Sequence, residues 1–188
     1  MIKSEVPPAT LIQSARAAVD QLGIEVVAGR YQFAIDRIYP RWKERMAKRE
    51  GSMAEVDAGL LRAMKEFQRS GVSLLSSKAV GEAQVFEVEP GKRVEKIGGR
   101  DVVSPGYTKW LVLVPTVTRL KVFESGQTHL VDKISFQAAI TDKGKNDWTF
   151  IDGSTAKFTD FRSLFGTLPA DLKLPETTYT PVKDEPKR

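Results

Sequence analysis

The sequence predicts an α+β fold in which N-terminal helices cover one face of a curved antiparallel sheet. Two observations predict it. Apolar residues recur at helical spacing through the first third of the chain and at alternate positions afterwards. Turn residues then punctuate the second part at hairpin intervals. Helices first and strands after make separate layers, not alternating βα units. With 188 residues the chain is long enough for one domain with a real core. That domain is expected over 10–175, after an extension at 1–9 and before a flexible tail at 176–188, rich in Pro and charge.

In the helical part, Leu11, Ile12, Ala15, Val19 and Leu22 form one stripe that Val26 continues. Thr10 followed by Gln13 fits a capping box, and Gly29 a stop. Phe33, Ile35 and Asp36 fall on a short second helix. Pro40 suits the first turn of a third, which carries Trp42 and Met46. Ser52 with Glu55 is a second capping box, opening a longer helix marked by Met53, Val56, Leu60, Met64 and Phe67 and ended by Gly71.

Strands are expected at 72–80, at 84–89 up to Pro90-Gly91, at 93–97 and at 101–103, the last two joined by a Gly98-Gly99 turn. A long strand follows at 107–124, broken by Pro115 into a bulge or edge. Ser125-Gly126 turns it into 129–141, and 148–152 closes an antiparallel meander. A last short helix is expected over 159–165.

The chain has no cysteine and a single histidine, His129. This excludes a thiol nucleophile, a Cys-containing zinc site and a multi-histidine metal centre. No metal or cofactor is expected. Lys and Arg number 29 against 24 Asp and Glu, a net charge of +5 with both signs interspersed. A nucleic-acid partner is therefore not expected, because binders of that kind gather their cations on one face. No stretch approaches a membrane helix, and Met1 to Glu5 lacks the apolar core of a signal peptide. A cytoplasmic chain and an exported one without its signal both fit.

Three segments carry a resemblance. Ala28-Gly29-Arg30-Tyr31-Gln32-Phe33-Ala34, followed by Ile38-Tyr39-Pro40, resembles a Gly-(Asp/Asn)-aromatic junction between two helices, with Arg30 where an acidic cap is usual. Asp147-Trp148-Thr149-Phe150-Ile151-Asp152-Gly153 resembles a last strand. Leu164-Phe165-Gly166-Thr167-Leu168-Pro169 and Leu172-Lys173-Leu174-Pro175 resemble a C-terminal extension. Together they are similar to uncharacterised bacterial proteins of the nuclear transport factor 2-like superfamily, which has the cystatin-like fold. The resemblance spans roughly 10–175. It implies a cone with helices on the concave face of the sheet, and an exported or periplasmic protein with no assigned reaction. The superfamily hosts enzymes and pure binding modules alike, so the fold does not decide between them.

The carboxylates are the candidate chemistry. On one face of their strand, Leu130, Asp132, Ile134, Phe136, Ala138 and Ile140 point together, and a carboxylate among apolar neighbours is a general acid or base in the making unless an Arg or Lys pairs with it. Asp152 shares a face with Trp148 and Phe150, or caps the turn at Gly153-Ser154. With Tyr39 these make the only catalytic candidates. His129 falls on the face of Val131, Lys133 and Ser135, which reads as solvated. The basic run at 41–50 reads as one solvated side of an amphipathic helix that buries Trp42 and Met46. A ligand cleft between helices and sheet would be lined by Tyr31, Asp36, Tyr39, Trp42, Trp110, Asp132, Phe136, Trp148 and Asp152. The leading expectation is binding of a small apolar ligand or a protein partner in that cleft, by a homodimer formed through the sheet. The alternatives are a cofactor-free isomerase, dehydratase or hydrolase, and a structural dimerisation module built on the strand at 107–124.

Overall fold

A computed structural model describes residues 5–183. Four helices come first: α1 (Leu11–Val27), α2 (Tyr31–Asp36), α3 (Pro40–Glu50) and α4 (Met53–Arg69). Strands β1 (Val72–Ala79), β2 (Gln84–Ile97), β3 (Arg100–Glu124), β4 (Gln127–Asp142) and β5 (Thr149–Asp152) follow, then α5 (Phe158–Leu164) and β6 (Thr178–Pro181). The fold is α+β, with helices packed on a curved, open antiparallel sheet.

The spine is β3, antiparallel to β4 from Lys109 to Glu124. Its other edge is shared: β2 pairs with residues 100–113 and β1 with 116–122. Pro115 sits at the seam between these two neighbours, where a missing N–H leaves no ladder bond unmade, and its carbonyl accepts Val80 N–H at 2.8 Å. Both edges of β3 are thus taken. On the far edge of β4, β6 pairs with 131–134 and β5 with 137–140.

Even-numbered β3 residues and odd-numbered β4 residues face the helices. There α1 lays Leu11, Ala15, Val19 and Leu22 on Trp110, Val112, Val114, Ala139, Trp148 and Phe150. Gly23 lets α1 approach β1 closely, since a Cβ there would lie 2.6 Å from the Ser77 carbonyl oxygen. The other face is covered too. Leu111, Leu113, Phe136, Ala138, Ile140 and Ile151 pack under Phe161 and Leu164 of α5 and under Phe165 and Leu168 just beyond it. Hence Trp110 to Val114 is buried without alternation.

Between α2 and α3 the chain runs beside β5. Phe150 N–H donates to Arg37 O at 2.7 Å and Tyr39 N–H to Phe150 O at 2.9 Å. Ile38 lines the helical side and also packs against the opposite core, where Tyr39 meets Phe165 with ring centroids 5.4 Å apart.

Several boundaries differ from expectation. The expected strands at 84–89 and 93–97 are one strand, β2, and 101–103 joins 107–124 in β3. Pro90 and Pro105 lie beyond the reach of β4, where each strand has an open edge that accommodates a donorless residue. Glu89 interrupts the β2–β3 pairing at φ 57° without shifting its register, and the register shift in the sheet lies in β1, between Leu74 and Ser76. Thr10 makes no side-chain cap to α1, whereas Ser52 Oγ accepts Glu55 N–H at 3.2 Å at the start of α4. Within the expected flexible tail, Thr178 to Pro181 adds a strand to β4, as the β-prone Thr-Tyr-Thr favours. The rest of that tail, 184–188, lies outside the described residues, as does 1–4 of the expected extension.

Candidate functional site: a half-polar cavity under the helices

Beyond the point where α1 leaves the sheet, helices and strands do not close on each other. A cavity of about 520 Å³ remains between them. Its roof is apolar: Leu22 and Val26 of α1, Ile35 of α2, Met46 of α3, and Leu60, Met64 and Phe67 of α4. The apolar stripe of α4 faces this space more than a packed core. Of it only Val56 is buried, and Phe67 stays 41% exposed. An ion pair fastens α4: Lys43 of α3 reaches Asp57 at 2.6 Å and also donates to Ile35 O at 3.3 Å.

The floor is polar. Thr116 and Thr118 of β3, Lys133, Ser135 and Gln137 of β4, Ser77 of β1 and Asp152 of β5 line it. Register explains the grouping, because Thr116 stands opposite Ser135, Thr118 opposite Lys133, and Gln137 opposite Asp152. Some of these groups satisfy one another. Ser77 bonds Thr118 at 2.9 Å, and Ser135 bonds Thr177 at 2.9 Å. At the rim, Lys133 Nζ donates to Ser154 Oγ at 2.9 Å, and Ser154 donates through Oγ and N to one oxygen of Asp152 at 2.7 and 2.8 Å. The Gln137 amide and the Thr116 hydroxyl make no side-chain hydrogen bond among the described residues.

The expected cleft residues are only partly gathered here. Tyr31, Trp42 and Asp152 line the cavity. Trp110 and Trp148 are on the same side of the sheet but lie in the core under α1, where Trp148 Nε1 donates to Ser14 Oγ at 3.0 Å and the Lys143 ammonium sits 4.7 Å from the Trp110 ring centroid. Phe136 is in the opposite core, against Phe161. Asp36 is exposed at the end of α2, bonded by Gln32 at 2.7 Å. Asp132 is away from the cavity, on the strand face it was expected to share with Phe136. There it takes a two-pronged bond from Arg119, at 2.8 and 2.9 Å, which lowers its carboxyl below the usual carboxylate range. The desolvated carboxylate that would support catalysis is therefore not found at Asp132.

Tyr39 belongs to a second recess of about 410 Å³, on the far side of α3. Its hydroxyl donates to Glu89 at 2.7 Å, and Glu89 also receives Arg41 and, at 3.8 Å, Lys109. Burial, then the hydrogen bond to Glu89, holds the Tyr39 phenol above the ordinary tyrosine range. Lys109 and Lys145 meet in turn on Asp142, whose carboxyl they lower, Lys109 most. Cations and carboxylates here neutralise each other, and the network ties Glu89 of β2 to the start of α3.

Sequence reasoning missed the floor. The face of His129, Val131, Lys133 and Ser135 was read as solvated. His129 at the hairpin tip is exposed, but Lys133 and Ser135 line the cavity. A signal existed. Polar residues alternate at Thr116, Thr118 and at Lys133, Ser135, Gln137 on two neighbouring strands in the middle of the sheet, where burial is expected. Among the described residues no cluster of His, Asp or Glu is placed to hold a metal, and no helix is long and apolar enough to cross a membrane.

Comparison of the chain with protein-family models, with curated proteins and with solved structures finds no match.

Proposed function

We propose that the protein binds a small, largely apolar molecule in the cavity between its helices and the concave face of its sheet, and that it does so without catalysing a reaction. One observation carries the reading. The concave side is not packed shut: about 520 Å³ stays open under an apolar roof, within the size range of small-molecule sites. Packed cores seldom leave voids much larger than a water molecule. The order of elements and the cone-like packing also support membership of the nuclear transport factor 2-like superfamily, where such a cavity is common. Against the enzymatic alternative stands Asp132, which is tied to Arg119 outside the cavity.

Native mass spectrometry after incubation with an extract of the host cell tests this. A discrete small-molecule mass retained by each protomer, and lost when Leu60 is replaced by Trp to fill the roof, is the expected result. A wild-type protein that retains nothing from any extract, and whose tryptophan fluorescence ignores apolar probes, would sink the reading. The same spectra report whether the protein is the homodimer we expect.

A further inference from the structure

The cavity is apolar above and polar below, and its polar side is not uniform. Of the residues that line it only Lys133 and Asp152 carry charge. The two are not equivalent. One Asp152 oxygen already accepts both the backbone N–H and the hydroxyl of Ser154, as an acidic residue two positions before the end of a turn commonly does. Lys133 makes one hydrogen bond, to that same hydroxyl, and has no carboxylate within ion-pair distance among the described residues. An ammonium carries three donors, so two remain. Farther along the floor the Gln137 amide and the Thr116 hydroxyl also make no side-chain hydrogen bond among the described residues, and the second Asp152 oxygen receives none. A half-buried cation with two spare donors is matched by a group that accepts and bears negative charge.

From this geometry we infer that the ligand is a single-chain amphiphile with a carboxylate head, the head bound at Lys133 and the tail under Leu22, Val26, Leu60, Met64 and Phe67. The inference rests on the cavity-binding reading above and names the ligand class. A carboxylate is preferred to a phosphate monoester because one lysine balances one negative charge. A phosphate carries nearly two, and the second would lie uncompensated near Asp152. Ser154 serves as the tether: it accepts from Lys133 and donates to Asp152, which holds the ammonium at the rim while leaving its other donors open. An apolar tail needs no partner beyond the roof, and α4, half-buried along its apolar stripe, gains cover when the tail is present.

The test uses three probes of one chain length, each below its micelle-forming concentration: dodecanoate, dodecanol and dodecyltrimethylammonium. Binding to the full-length protein is measured by titration calorimetry, with Trp42 fluorescence as a second signal. The expected order places dodecanoate first, by about tenfold over dodecanol, as a charge-assisted hydrogen bond implies. Lys133→Met should erase that advantage and leave dodecanol binding unchanged. Lys133→Arg should restore most of it. Because dodecanol reports on the cavity alone, its unchanged binding also shows that the variant folds. Equal binding of acid and alcohol to the wild-type protein would overturn the assignment at Lys133 while leaving the cavity reading intact. Preference for the cationic probe would overturn it in favour of Asp152. No binding of any probe would overturn both.

Discussion

Gly153 sits in the turn between β5 and α5, and replacing it with Ala is a sharp test of how the cavity rim is supported. Its φ lies outside the left-handed region, so the backbone accepts a side chain. Space does not. A Cβ would stand 2.5 Å from Cδ1 and 2.6 Å from Cζ of Phe136, with Cε1 also in the way. Neither partner can easily withdraw. Phe136 is 1% exposed and packed on Phe161 at a centroid distance of 6.0 Å, and Gly153 N–H donates to Phe136 O at 3.0 Å. Overpacking a tight core costs about 1–3 kcal/mol, and three ring atoms in contact place this case at the upper end. The stiffer unfolded chain returns about 0.4–1 kcal/mol. A net loss of about 2 kcal/mol lowers Tm by roughly 4–8 °C for a domain of this size. Thermal and urea melts followed by circular dichroism measure it, with the urea slope unchanged. Phe136→Leu shortens the obstructing ring, so in that background the added methyl should cost less than in the wild type, a non-additivity of about 1 kcal/mol. Because the turn carries Asp152 and Ser154, the single variant should also weaken dodecanoate more than dodecanol. A Gly153→Ala protein that melts with the wild type would refute the packing described for this face.

Two further outcomes follow from the polar networks. Tyr39→Phe should cost about 1.5 kcal/mol near neutral pH, the low end for a bond to a charged acceptor, since Glu89 keeps Arg41 and Lys109. The native phenol ionises above its usual range while the unfolded chain ionises near pH 10, so the unfolded state sheds protons first and the wild type loses stability as pH rises past about 10. Urea midpoints of the two proteins should therefore converge in that window, and parallel curves would count against the account. Lys43→Met should loosen α4 specifically. It removes the cation facing Asp57 Oδ1, an oxygen sealed from solvent whose pairing is Coulombic, not an aligned hydrogen bond. Amide exchange over 53–69 should accelerate about tenfold or more while the sheet is little affected, and Lys43→Met with Asp57→Asn should recover part of the protection. Uniform exchange across the chain would contradict this.

Much of the layer order was legible because local signals and tertiary packing agree there. Ser52 and Glu55, Pro40, and the stripe from Leu11 to Val26 specify helix ends and faces with nearest neighbours alone. The strands were harder to delimit because Pro and Gly normally end a strand. Pro90-Gly91 and Pro105-Gly106 stand across from each other on one ladder, so the two interruptions fall at the same level of a hairpin that continues through both. A single strand read alone cannot show that its neighbour makes room at the same point. The second covered face was invisible for a related reason. Phe161, Leu164, Phe165 and Leu168 lie in short elements whose partner is fixed only by the closed chain.

The cavity floor shows where one-strand reasoning runs out. Alternation at Lys133, Ser135 and Gln137 says that these residues share a face and says nothing about what lies opposite. Polar residues are ordinarily solvated, so that face was given to water and the apolar Ile134, Phe136, Ala138 to the interior. Both faces of β4 are in fact enclosed at 135–139, one by packed rings and one by a space. What distinguishes them is satisfaction. Ser135 finds Thr177, and Asp132 on the other face finds Arg119, whereas Lys133 and Gln137 keep donors in reserve. An enclosed polar group without a protein partner costs about 1–3 kcal/mol unless water or a ligand completes it. Among the described residues the side-chain polar atoms sealed without a hydrogen bond are Asp57 Oδ1 and Thr167 Oγ1, so the spare donors of the floor stay accessible to water or to a ligand. The sequence position that best marks the site is therefore Lys133, between Asp132 and Ile134 on a central strand, and the proposal of a ligand with a charged head rests on it.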